Sequence, residues 1–256
     1  MIELKNVCAG YEGKTVLKNA NVTFEPGKIT VLIGPNGCGK STLLKSIVRI
    51  NPHSSGSILI DGTEIEKLSS AKLAQNVAYL AQNKKAPDIS VMKMVLHGRF
   101  AYLSYPRKYR PQDIEIAKKA LKWAGMEDQA DNIVSKLSGG MQQKVYIAMA
   151  LAQDADTILM DEPTTYLDVV HQLRLMEMAR ELAKEGKAVV MVLHDLTQAL
   201  QIADKVVVLK AGEIIAQGTA EEIFERGSIQ KAYNVELERV HTKSGWHYLC
   251  SLNSET

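Results

Sequence analysis

The first stretch of the chain alternates. Ile2-Glu3-Leu4-Lys5-Asn6-Val7 places apolar residues at every second or third position and carries charge between them, the pattern of a strand with one buried face. Residues 1 to about 33 continue in this texture and predict antiparallel strands. Turns are expected at Tyr11-Glu12-Gly13-Lys14 and Glu25-Pro26-Gly27-Lys28, where glycine and proline break the run. Lys28-Ile29-Thr30-Val31-Leu32-Ile33 is denser and reads as a buried strand, followed by a helix over Ser41–Val48. Ser55–Gly62 predicts a short strand that ends in an Asp-Gly turn, and Asn76–Gln82 a short apolar strand. After Gln82 the period changes to a mostly helical one as far as about residue 150, with breaks at Pro87, Pro106 and Pro111. Solid apolar runs then return at Thr157–Asp161, Ala188–Leu193 and Lys205–Leu209, as in strands covered on both faces. The last thirty residues suggest one helix and a small strand pair. The expected class is α/β, with a helical segment set between strands.

Bulk numbers exclude more than they assign. The 256 residues are 46% apolar and 23% charged, ordinary for a globular protein with a large core. A net charge of +2 offers no electrostatic case for nucleic acid. Cys8, Cys38 and Cys250 are scattered and odd in number, which suits a reducing cytosol better than a disulfide framework. No apolar run reaches the roughly 20 residues of a membrane-spanning helix. The N-terminus reads as a strand and not as a secretory signal, so any membrane role is expected to come through a partner.

Two glycine-bearing motifs carry candidate chemistry. Gly34-Pro35-Asn36-Gly37-Cys38-Gly39-Lys40-Ser41-Thr42 fits G-x-x-x-x-G-K-[ST] between a strand and a helix. Glycines let such a backbone curl so that N–H groups face an anion, while lysine adds charge for β/γ phosphates and serine offers a hydroxyl to Mg2+. Cys38 inside the loop reads either as a small residue that fits or as a thiol open to alkylation and shielded by nucleotide. Leu137-Ser138-Gly139-Gly140-Met141 precedes a helix-like run, a second backbone anion site. Asp161-Glu162 ends a buried strand, a pair suited to metal binding and water activation.

Taken together, these motifs resemble the ATP-binding cassette (ABC) ATPases, over nearly the whole chain and in the family's order. The resemblance implies a P-loop NTPase of the ABC ATPase fold: a mixed-sheet core, an N-terminal antiparallel β subdomain and an inserted helical subdomain. One ABC ATPase domain over 1–256 is expected, with 1–82 and 155–225 as the nucleotide-binding core, 83–154 as the helical signature subdomain and 226–256 as a C-terminal extension. The resemblance implies that Tyr11 stacks on adenine and that residues 34–42 hold phosphates. Gln82 senses Mg2+ and the membrane partner, and Ser41 and Asp161 hold the metal. Glu162 is the general base and His194 the switch histidine. Ser138, Gly139 and Gly140, with Asp168 of the D-loop, act across a homodimer formed on ATP binding. ATP and Mg2+ are the implied cofactors. Two copies of a polytopic permease and, indirectly, an extracytoplasmic binding protein are the implied partners, at the cytoplasmic face of the membrane; nucleic acid is not.

Three positions, in two motifs, depart from the family pattern. Met141 stands where glutamine is usual, and Thr165-Tyr166 replaces the commoner Ser-Ala. The string Asp161–Asp168, with His97–Tyr102 and His194–Ala199, is similar to the subfamily that imports iron–siderophore complexes, haem and cobalamin. Arg99 in the second of these reads as a solvated charge or as a surface residue near the permease's coupling helix. Another metal or polar nutrient as cargo, and a soluble cassette protein without a permease, stay open.

Overall fold

The apolar runs become strands because each can bury both of its faces. The computed structural model describes residues 1–11, 13–82, 85–242 and 245–252. Glu12 of the first expected turn, and residues 83–84, 243–244 and 253–256 of the segments expected at 83–154 and 226–256, lie outside the described residues. The N-terminal alternation forms β1 (Ile2–Tyr11) and β2 (Lys14–Phe24), which pair antiparallel. The chain then runs through β3 (Ile29–Ile33), α1 (Lys40–Ile47), β4 (His53–Ile60) and β5 (Thr63–Glu64). β2-β1-β4-β5 make one antiparallel sheet. Asp61 and Gly62 join β4 to β5 with φ of 48° and 77°, the all-positive turn an Asp-Gly pair favours.

β3 departs from the antiparallel expectation. All five of its residues are buried, and it pairs parallel to β8 (Ala188–Val192) and to β9 (Lys205–Lys210). These strands join β6 (Val77–Leu80), β7 (Thr157–Asp161) and β10 (Glu213–Gly218) in a second sheet of order β10-β9-β3-β8-β7-β6. Only β10 runs antiparallel there. Alternate residues feed two different apolar clusters. Val31, Ile158, Met160, Val189 and Val208 enter one; Leu32, Leu159, Val190, Val207 and Leu209 enter the other. A strand with apolar neighbours on both faces has no polar positions to alternate with.

Between β6 and β7 lie α3 (Val91–Leu96), α4 (Pro111–Trp123) and α5 (Gly139–Ala152), while α2 (Ser70–Asn76), a helix the apolar pattern did not suggest, precedes β6. Pro111 opens α4 and does not break it, since its missing N–H costs nothing in a first turn. Arg99 corrects both expectations for it. Only 4% exposed, it donates from Nε to Asp113 Oδ1 at 3.2 Å and from Nη1 to the Ala152 carbonyl at 3.0 Å. It therefore pins α4 to α5. The chain closes with α6 (Val169–Lys184), α7 (Leu196–Ile202), α8 (Ala220–Glu225), α9 (Ser228–Tyr233) and the hairpin β11 (Val235–Thr242)–β12 (Gly245–Leu252).

Candidate functional site

Parallel strands deliver their following loops to one edge of a sheet. Here the loops after β3, β6, β7 and β8 carry residues 34–42, Gln82, Glu162 and His194. The first loop is shaped from the backbone outward. Gly37 and Gly39 take φ of 75° and 108°, values open to glycine at little cost, and Gly39 caps α1 without a side-chain bond. The Lys40 ammonium, largely buried, donates to the carbonyls of Gly34 at 2.5 Å and Pro35 at 3.1 Å. The N-terminus of α1 adds its dipole to this charge, so the loop is an anion cradle.

Cys38 settles between its two expectations. Its thiol is 4% exposed and lies 3.8 Å from Lys40 Nζ. Burial pushes the thiol above its ordinary pKa, so little thiolate is present to react. The residue fits the loop; it is no probe for alkylation.

The acidic pair divides between two networks. Asp161, at the end of β7, is buried. Its Oδ1 accepts from Ser41 Oγ at 3.0 Å and its Oδ2 from Tyr79 Oη at 3.2 Å. Burial raises the Asp161 carboxyl above its usual range, against the pull of these two donors. Burial, with the Asp161 charge beside it, raises the Tyr79 hydroxyl too. Among the described residues Asp161 has no ion-pair partner. A buried carboxylate held only by hydroxyls, with Ser41 beside it, fits a hard divalent cation. No group of three His, Cys, Asp or Glu side chains among the described residues could hold a metal.

Glu162 has φ of 52°, a strained value for a side chain of its size. The strain is offset locally: Thr165 N–H donates to the Glu162 carbonyl at 3.3 Å, and Gln143 Nε2 from α5 grips the Pro163 carbonyl at 2.9 Å. The turned backbone aims the carboxylate back over the cleft. Gln82 Nε2 donates to its Oε2 at 2.5 Å, and His194 Nε2 sits 2.6 Å from its Oε1. Tyr11, residues 36–42, Gln82, Glu162 and His194 line one cleft of about 580 Å3. Tyr11 is half exposed there.

Ser138, Gly139, Gly140 and Asp168 do not line this cleft. Ser138 caps α5, its hydroxyl accepting from Met141 N–H at 3.4 Å. A Cβ on Gly140 would sit 3.1 Å from the Tyr166 carbonyl, so the Ser-Gly-Gly turn and the D-loop pack together within the chain. Asp168 caps α6 and accepts from His171 N–H at 2.9 Å and from the His171 ring at 2.7 Å. The other ring nitrogen faces Lys144 Nζ at 2.5 Å. These bonds hold the Asp168 carboxyl below its ordinary pKa.

Known proteins decide the family. The family model described as ABC transporter matches residues 17–165. The chain belongs to the ABC transporter family. The iron(3+)-hydroxamate import ATP-binding protein FhuC of Bacillus subtilis (strain 168) is 40% identical over 233 residues, covering 90% of this chain and 87% of that one. The ferric enterobactin transport ATP-binding protein FepC of Escherichia coli (strain K12) is 40% identical over 228 residues, covering 88% and 84%. Among solved structures, the dimeric bacterial ABC transporter cassette MJ0796 superposes with a TM-score of 0.77 at 30% identity, covering 86% of this chain and 99% of that chain. The ABC ATPase fold with its mixed sheet and antiparallel N-terminal sheet is thus established, and with it ATP as the nucleotide.

Sequence reasoning passed over two residues of this ABC site. Tyr79 sits in the apolar run Asn76–Gln82, although a hydroxyl in such a strand signals a polar partner. Gln143 follows the Ser-Gly-Gly motif, and nothing in its spacing points to Pro163.

Proposed function

We propose that this chain is the ATP-hydrolysing subunit of an importer for iron(III)–siderophore complexes or related metal chelates such as haem and cobalamin. The observation that carries the motor reading is the convergence of Gln82, Glu162 and His194 on the cleft lined by the phosphate loop. The cargo reading is supported by the hydroxamate and enterobactin systems of its relatives.

The proposed roles draw on this geometry and on the family resemblance. Residues 34–42 supply the loop, with the N–H groups of residues 37–42 receiving phosphate oxygens and Lys40 trading its carbonyl partners for them. Tyr11 offers its ring to adenine. Ser41 and Asp161, with Gln82 near, would hold Mg2+, which when bound supplies countercharge for the phosphates. Glu162 orients water and takes its proton. His194, 2.6 Å from Glu162, contacts the γ-phosphate and holds the geometry. Ser138, Gly139, Gly140 and Asp168 of a second copy complete the site across a head-to-tail homodimer that ATP closes and hydrolysis releases. Gln82 and the helices after it pass closure to two permease subunits, which receive cargo from an extracytoplasmic binding protein.

We read 1–82 and 155–225 as the nucleotide-binding core, 83–154 as the signature subdomain and 226–256 as an extension. No helix among the described residues is long and apolar enough to cross a membrane, so the chain would sit on the cytoplasmic face through its permease. Uptake of candidate ferric chelates in a deletion strain tests this. The wild-type gene should restore uptake of at least one chelate and the Glu162→Gln gene should not. Restoration of none, with no polytopic protein co-purifying, would refute the importer.

A further inference from the structure

The C-terminal residues carry no motif, yet they reach the phosphate loop. α9 is bracketed by two residues in left-handed conformation, Gly227 at φ 60° and Asn234 at φ 57°. Asn234 N–H closes the helix on the Gln230 carbonyl at 2.9 Å. Ile229 and Ala232 are buried, and Lys210 Nζ on β9 holds the Lys231 carbonyl at 2.5 Å. The last residue of this pinned helix is Tyr233. Its Oη accepts a hydrogen bond from Gly34 N–H at 2.5 Å, from a residue 199 positions away in sequence. Burial raises the Tyr233 hydroxyl to about 12, so it stays neutral at working pH.

Gly34 is confined on every side. A Cβ there would collide with the Leu209 carbonyl and the Cys38 sulfur. Its N–H is held by Tyr233, and its own carbonyl is the shorter of the two that seat the Lys40 ammonium. We infer that Tyr233 is a positioning residue for ATP binding: it fixes Gly34 from the N–H side, and Gly34 in turn places Lys40. Further along, β12 is tied to α7, beyond His194, by Thr197 Oγ1 donating to the Tyr248 carbonyl at 2.9 Å.

The inference rests on the ATP-binding reading above, so the wild type is titrated first. Absence of ATP binding there would refute that reading itself. Tyr233→Phe keeps the ring and removes the acceptor. Calorimetric Kd for ATP should rise about three- to tenfold, the range of one neutral hydrogen bond. KM should follow, with kcat within about twofold; melting without nucleotide should fall modestly, because the buried Gly34 N–H loses its acceptor. In a Lys40→Ala background the same substitution should weaken binding no further. Unchanged affinity in a wild-type-like fold, a lower melting temperature with unchanged affinity, or additive losses with Lys40→Ala would each overturn the role of Tyr233 alone. Should the phenylalanine protein melt too early to titrate, 3,5-difluorotyrosine at position 233 keeps the ring and hydroxyl; the fluorines acidify the phenol and, while it is neutral, weaken it as an acceptor. ATP affinity should then fall in the same direction, and an affinity equal to wild type overturns the inference.

Discussion

The loop after β3 and the Ser-Gly-Gly turn before α5 both lead into helices, but only the first is finished. In the first, Gly34 and residues 38–40 are buried, three glycines have positive φ, and Lys40 is already seated. In the second, Ser138 and Gly139 are exposed, neither glycine has positive φ, and the Ser138 hydroxyl makes only a long cap bond. A buried, cross-braced cradle can bind a phosphate by itself. An exposed turn with the same direction of N–H groups has little to exclude water with, so it gains strength only against another surface. On the proposed mechanism, the difference separates nucleotide capture, a property of one chain, from hydrolysis, a property of two.

The sharpest break in this comparison is at Glu162. Glu162→Gln should lower steady-state phosphate release by at least about a hundredfold, the usual contribution of a general base. ATP binding should remain, and an ATP-bound dimer should accumulate in gel filtration; release at the wild-type rate removes Glu162 from the mechanism. Next is Lys40→Ala, which should weaken ATP binding by about 2 kcal/mol, as for a hydrogen bond to a charged group. Unchanged calorimetric affinity would mean the loop needs no ammonium.

The anchorage of the second site is tested by acid. Arg110 and Arg99 hold the fully buried Asp113 carboxyl at about 2, below the ~3.9 of an unfolded chain. The stability this contributes is complete above about pH 4 and is lost as pH falls towards 2, on the order of 2 kcal/mol. Urea melts of wild type across that window should lose it. Asp113→Asn should lack the pH-dependent part while being less stable at neutral pH, because Arg99 stays buried without its counter-ion. The smallest effect belongs to Ser138→Ala. Loss of the cap should cost α5 about 1 kcal/mol and weaken ATP-driven dimerisation of the Glu162→Gln protein in sedimentation. Monomer affinity for ATP should be unmoved; a matching fall there would erase the distinction between the two sites.

Local chemistry was legible in the sequence because it is contiguous. The phosphate loop, Asp161-Glu162 and Ser138-Gly139-Gly140 are each short strings whose residues act as neighbours, and the solid apolar runs announced the central sheet. Long-range pairings were not. The N-terminal alternation suggested that β3 continues an antiparallel sheet, but its partners β8 and β9 lie more than 150 residues away. Arg99 looked like a surface charge because arginine usually is one; only the fold brings Asp113 and the Ala152 carbonyl to it. Tyr79 and Tyr233 were silent for the same reason, since a tyrosine shows its ring in a pattern and its hydroxyl partner only in space.

The largest apolar cluster bears on how such a chain can change over generations. It runs without a break from Ile29 and Val31 through Leu121, Val134 and Val145 to Leu175 and Val189. Host sheet and inserted helices therefore share one interior. A piece cut out at residues 87–152 would leave both fragments with an oily face towards water, and neither would be expected to fold alone. Exchange of the helical segment between relatives faces the same obstacle. A donor segment must bring side chains that fill the space left against Ile158, Met160 and Leu175, so shuffled hybrids should survive only when those contact positions travel with it.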